Sequence, residues 1–119
     1  MKYEKLTRVE LQALGEEACD FLQVHHSHWP IVRLKRLGME GDMGEVVWDK
    51  HDGKPILNLF NGYLRAQDIS QVSTLLHECA HIAIKYGLAL DLEDRLEEPI
   101  VCLMEHMLYN LYRNGVFNE

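Results

Sequence analysis

Two histidines four residues apart, with a glutamate beside the first, form the segment His77-Glu78-Cys79-Ala80-His81. On a helix, residues four apart lie one above the other, so both imidazoles can reach one metal ion. Glu78 then sits about 100° around the helix axis, next to the ion but outside its ligand set, where it can take a proton from water. Zinc suits two imidazoles and lowers the pKa of its water to about 7. The alternative reading is two core histidines with satisfied hydrogen bonds and an incidental glutamate. It is disfavoured because the surrounding pattern predicts a buried helix, in which unpaired polar side chains are costly.

A catalytic zinc site needs a third protein ligand and one open position. The metzincin spacing would place Gly at 84 and His at 87; the chain has Ile84 and Gly87, which excludes that class. The remaining donors lie downstream: the acids from Asp91 to Glu98, then Glu105 and His106. Glu98 shares a helical flank with Val101, Glu105 and Leu108, whereas Glu97 points nearer the Val101/Met104/Leu108 side. Each could equally be a solvated acid near a helix N-terminus, where the dipole favours it.

These residues need elements to position them. Thr7 to about Val24 reads as a helix, opened by a Thr7/Glu10 capping box and striped by Leu11, Leu14, Ala18, Phe21 and Leu22. Ile31–Leu37, Glu45–Asp49 and Ile56–Phe60 read as strands. Asp52-Gly53 signals a hairpin turn, and Asn61-Gly62 ends the third strand. The middle of the chain is therefore expected to be an antiparallel meander. A second helix runs from Asp68 or Ser70 to Tyr86, with Gly87 as a left-handed cap. Asp91 to Glu98 is expected as an acidic connection, with Pro99 in the first turn of a last helix that ends at Asn114-Gly115. The fold class is α+β: a small three-stranded antiparallel sheet on three helices, with zinc between the last two.

The chain resembles the minimal zincins, the compact gluzincin-type metallopeptidase domains typified by the ImmA/IrrE family and small phage-encoded relatives. The resemblance covers residues 30–112 and rests on His77-Glu78-x-x-His81 followed by Glu98-x-x-Val101, with apolar Met104 and Leu108 after it. It implies Glu98 as the third zinc ligand beside His77 and His81. It also implies Glu78 as the catalytic residue and a protein or peptide substrate. Two departures stand out: Val101 is followed by Cys102, and there is no DNA-binding module or appended sensor domain. A non-catalytic adaptor with a structural or relic zinc site is the competing expectation.

Other groups have weaker signals. His25, His26 and His28 could form a second metal site with His51, or cap the preceding helix. Tyr63, Tyr86, Tyr109 and Tyr112 could each supply an oxyanion donor. Ile56–Phe60 could be a sheet edge above the metal, open to pairing with an extended peptide. Cys19, Cys79 and Cys102 are too few and too far apart for a disulfide framework and read as reduced, buried thiols of a cytoplasmic protein.

The 119 residues are expected to form one domain, 1–119. Twelve basic against nineteen acidic side chains give −7, which disfavours nucleic acid and anionic membranes as partners. Residues 1–66 carry nine basic and ten acidic side chains, residues 67–119 three and nine, so the acid gathers with the metal motif. No apolar run is long enough to span a membrane, and the charged start predicts no signal peptide.

Overall fold

The computed structural model describes residues 2–48, 53–88 and 92–117. Helix α1 (Arg8–Phe21) begins at the expected capping box: Thr7 accepts from the Glu10 amide, and the Glu10 carboxylate accepts from the Thr7 amide. Strands β1 (Ile31–Lys35), β2 (Gly44–Val47) and β3 (Ile56–Phe60) form one sheet. Short helix α2 (Asn61–Ala66) follows β3 directly, then come α3 (Gln71–Ile82) and α4 (Asp94–Arg113). The architecture is thus α+β, with four helices rather than the expected three.

The sheet departs from the expected meander. Its order is β1-β3-β2, with β1 parallel to β3 and β2 antiparallel to it. The pairing of β2 with β3 (Val47 opposite Ile56) is the expected hairpin, although Asp52 of its turn lies outside the described residues. The correction concerns β1, and composition explains it. β3 buries Leu57, Asn58, Leu59 and Phe60 and so takes the centre, where it is flanked on both sides. β1 exposes Arg33 and Lys35, charges that suit an edge strand. β3 is therefore not the free edge that the sequence suggested; β2 is the edge nearest the metal motif.

Helices α1 and α3 pack on the sheet, burying Leu11, Val32, Leu57, Leu59, Val72 and Leu75 completely. Each such side chain contributes about 1.5–3 kcal/mol. Asn61-Gly62 ends β3 as expected and also begins α2, a helix the sequence did not suggest. A Cβ on Gly62 would lie 2.4 Å from the Arg36 carbonyl oxygen, so only glycine lets α2 fold back against the end of β1.

Both ends of the helical hairpin differ from expectation. Gly87 is not a left-handed cap: after α3 the chain continues through a π-helical turn, Ala83–Gly87, closed by the Leu88 amide on the Ala83 carbonyl at 2.9 Å. α4 starts at Asp94 rather than near Pro99, so residues from Asp94 to Glu98 are helical, not a connection. Acids in a first turn are favoured by the helix dipole, which offsets the ladder hydrogen bond that Pro99 cannot donate. Gly115 does adopt a left-handed conformation (φ 77°) just past the end of α4.

The N-terminal arm braces the start of α3. Ser70 caps the helix by accepting from the Ser73 amide at 3.0 Å. The Glu4 carboxylate accepts from the Gln71 amide at 2.6 Å, the Val72 amide at 3.3 Å and the Ser70 hydroxyl. Gln71 is fully buried; its Oε1 accepts from the Leu6 amide, and its Nε2 donates to Asn61 Oδ1 at 2.6 Å. No described helix is long and apolar enough to cross a membrane.

Candidate metal centre

Helix α3 holds His77, Glu78 and His81, and α4 faces it. Rising positions on α3 meet falling positions on α4: Ser73 and His77 meet Glu105, whereas His81 meets Glu97 and Glu98. The two helices are therefore antiparallel, and a small apolar cluster of Ala80, Ile84 and Val101 joins them.

His77 Nε2 lies 3.4 Å from one Glu98 carboxylate oxygen, and His81 Nε2 lies 3.0 Å from the other. One donor atom from each of the three residues fits within 4.8 Å of the others, so His77, His81 and Glu98 could hold a metal ion. The opposite ring nitrogens are occupied: His77 Nδ1 is 2.8 Å from Glu105 Oε1, and His81 Nδ1 is 3.1 Å from Glu97 Oε2. Carboxylates only accept hydrogen bonds, so each Nδ1 carries the proton. When the rings are neutral, both Nε2 atoms then present lone pairs to a third acceptor, Glu98. That arrangement is repulsive unless a cation lies among them, and it is the feature of this structure that fits a metal.

Electrostatics follow from the same contacts. The hydrogen bond to Glu105 raises the His77 pKa above its ordinary value, against burial, with the charges of Glu78, Glu105 and Glu98 adding to the rise. Burial works to raise Glu105, but hydrogen bonds from His77 and from the Ser73 hydroxyl (2.7 Å) outweigh it and hold the carboxyl low. Glu78 is buried, and burial raises its pKa; the neighbouring His81 and His77 only partly oppose this.

The site opens into a cleft of about 530 Å³. α3 lines it with Ser73, Thr74, His77, Glu78 and His81; α4 adds Glu98 and Glu105. The facing wall is residues 41–44, which lead into β2. Gly44 makes this approach possible, since a Cβ there would lie 3.1 Å from Thr74 Cγ2 and 3.2 Å from the Asn58 carbonyl oxygen. The Phe60 amide donates to the Met43 carbonyl at 3.0 Å, which makes 43 and 60 a hydrogen-bonded pair. By antiparallel alternation, Gly44, opposite Leu59, turns its N–H and C=O away from β3, toward the free edge beside the cleft.

The other expected groups fall elsewhere. Tyr63, Tyr86, Tyr109 and Tyr112 do not line the cleft. Tyr86 stacks on His28 with ring centroids 4.0 Å apart, and Tyr109 packs against Tyr112. His25 Nδ1 accepts from the Ser27 amide, and His28 Nδ1 bonds the Gly53 carbonyl, so these histidines serve a short 3-10 turn (His26–His28) and its neighbours. His51 lies outside the described residues. Cys19 and Cys79 are buried as expected, but Cys102 is exposed, because its place on α4 turns away from the α3 contact. Ser73 was missed from sequence, as were the contacts of Glu97 and Glu105 with the rings. The seven-residue spacing of Glu98 and Glu105 was the available signal, since it puts both on one flank of α4.

Comparison with protein-family models, with curated proteins and with solved structures returns no match.

Proposed function

We propose that the protein is a zinc-dependent metallopeptidase of minimal zincin type, working in the cytoplasm on a protein or peptide substrate. The observation that carries this reading is the convergence of two imidazole Nε2 atoms and the Glu98 carboxylate, with buried Glu78 beside them in an open cleft. His77, His81 and Glu98 would hold the ion, and two nitrogens with one carboxylate oxygen are a ligand set typical of catalytic zinc. When bound, zinc polarises a scissile carbonyl and makes water acidic.

Glu78 is the general base that takes the proton of the attacking water and then returns it to the leaving amine. Its raised pKa suits that shuttle, because a base tuned upward is a stronger proton acceptor near neutrality. The outward backbone groups of Gly44 offer an extended peptide a partner along β2, which supports a peptide over a compact substrate. Neither Cys102 nor His106 joins the donor group among the described residues, which supports an open fourth position over a closed structural site.

The test is elemental analysis of the wild type, His77→Ala and Glu98→Gln, followed by mass-spectrometric screening of the zinc-loaded wild type against a peptide library. About one zinc per chain, lost in the first variant and weakened in the second, with chelator-sensitive cleavage, is the expected result. Zinc without cleavage would favour the adaptor reading, and absence of zinc would remove the metal centre.

A further inference from the structure

We infer that Glu97 and Glu105 are positioning residues: each holds one imidazole of the site in the tautomer and orientation that aims its Nε2 at Glu98, and Ser73 anchors Glu105. This rests on the metal centre proposed above and concerns how the chain builds it.

The geometry assigns three neighbouring acids of one helix to two tasks. Glu98 meets the Nε2 side of both rings, at 3.0 and 3.4 Å. Glu97 and Glu105 meet the Nδ1 sides, at 3.1 and 2.8 Å. The two nitrogens of an imidazole point in diverging directions, so an acid bound at Nδ1 cannot share an ion with Nε2 of the same ring. Glu97 is thereby separated from Glu98 in role, although the two are adjacent in sequence.

Burial distinguishes these contacts from ordinary surface pairs. The Glu97 and Glu105 side chains are 21% and 18% exposed, against 53% for Glu98. Both oxygens of Glu105 are committed, Oε1 to His77 and Oε2 to the Ser73 hydroxyl at 2.7 Å. That second contact ties the acid to α3 one turn before the ring it supports, so the carboxylate cannot rotate toward the Nε2 side. A carboxylate behind a ligating imidazole fixes its tautomer and makes the outer nitrogen more basic.

The test measures zinc affinity by competition with a chromophoric chelator for the wild type, Glu97→Ala, Glu105→Ala, Glu105→Gln and Ser73→Ala. Imidazole nitrogen NMR of the zinc-loaded proteins is recorded alongside. Each alanine substitution of an acid is expected to weaken zinc by about 10- to 100-fold. Glu105→Gln should recover part of that loss, because its amide oxygen still accepts from Nδ1. The NMR signature is selective: Glu105→Ala and Ser73→Ala should disturb the Nδ1–H signal of His77 alone, and Glu97→Ala that of His81 alone. A merely structural role would disturb both rings together or neither. Should an alanine variant fail to fold, Glu105→Gln and Ser73→Ala carry the test through the same His77 signal. Unchanged affinity and unchanged ring signals in variants of a zinc-binding wild type would overturn the positioning role and leave the metal centre standing. A wild type that binds no zinc in the first titration would overturn both.

Discussion

The chemistry proposed for this protein turns on one residue whose surroundings pull its acidity in opposite directions. Glu78 is buried beside two imidazoles, and the acid–base role proposed for it can be tested separately from metal binding. Glu78→Gln is expected to keep zinc at wild-type stoichiometry and lower peptide turnover by about 10²–10⁴-fold, the usual contribution of a positioned proton-transfer group. Steady-state kinetics on a substrate found by library screening checks this; turnover within a few-fold of wild type would remove Glu78 from the mechanism. The pKa directions also set the pH response of the metal-free protein. His77, raised above 6.5, and Glu78, raised above 4.5, both favour the protonated native state. The stability each confers is fully present below its ordinary pKa and fades as pH rises through its elevated one. Glu105, held below 4.5, acts oppositely and loses its contribution only in stronger acid. Thermal melts in chelator should therefore fall from about pH 5 to pH 8. Saturating zinc should reverse that slope, because binding needs unprotonated Nε2 atoms. A chelator series that rises over this range would contradict the assignment. His77, Glu78 and His81 were legible in the sequence because helical periodicity alone brings them together. Glu97 and Glu105 were visible only as candidates, since their contacts depend on the register of α4 against α3, which no local pattern encodes.

At the scale of elements, the strands were legible and their partners only partly so. Alternation and turn residues locate β1, β2 and β3 to within a few positions, and Asp52-Gly53 indicates the pairing of β2 with β3. The parallel pairing of β1 with β3 joins segments far apart in the chain, and what decides it is which strand can be buried on both sides. The arm ahead of α1 was illegible for the same reason: Glu4 reaches the start of α3 only once the whole fold has formed. A carboxylate on the free amides of a helix start satisfies unpaired donors and meets the positive end of the dipole. Glu4→Ala is expected to cost about 1–2 kcal/mol. Urea denaturation of the metal-free protein would show it as a lower midpoint at unchanged slope; a change within error would mean that water caps α3 equally well.

For the whole molecule, the main core lies between the sheet, α1 and α3, and α4 joins through few fully buried side chains, chiefly Val101 and Leu108. Its outer face leaves Leu96, Leu103 and Met107 more than half exposed. An ion held by His77, His81 and Glu98 would therefore act as a cross-link between α3 and α4. Zinc at 1,000 times its Kd should add about 4 kcal/mol to stability. Hydrogen exchange should show where: amides of α4 are expected to gain more protection on zinc addition than those of α1 or β3, whose opening already requires global unfolding. Uniform protection across all helices would show that α4 never opens separately.

The distribution of thiols gives the chain a natural labelling chemistry. Cys102 stands exposed on α4, one turn beyond Glu98 and one turn before Glu105, whereas Cys19 of α1 and Cys79 of α3 are buried between those two helices. Partial desolvation and the carboxylates of Glu105 and Glu98 keep the Cys102 thiol protonated, so its alkylation should be slower than that of a free cysteine but still complete in the native state. The other two should react only as the molecule unfolds. One unmodified protein thus offers two clocks to a single reagent: a faster mark on the helix that carries Glu98, and a slow pair that counts global openings.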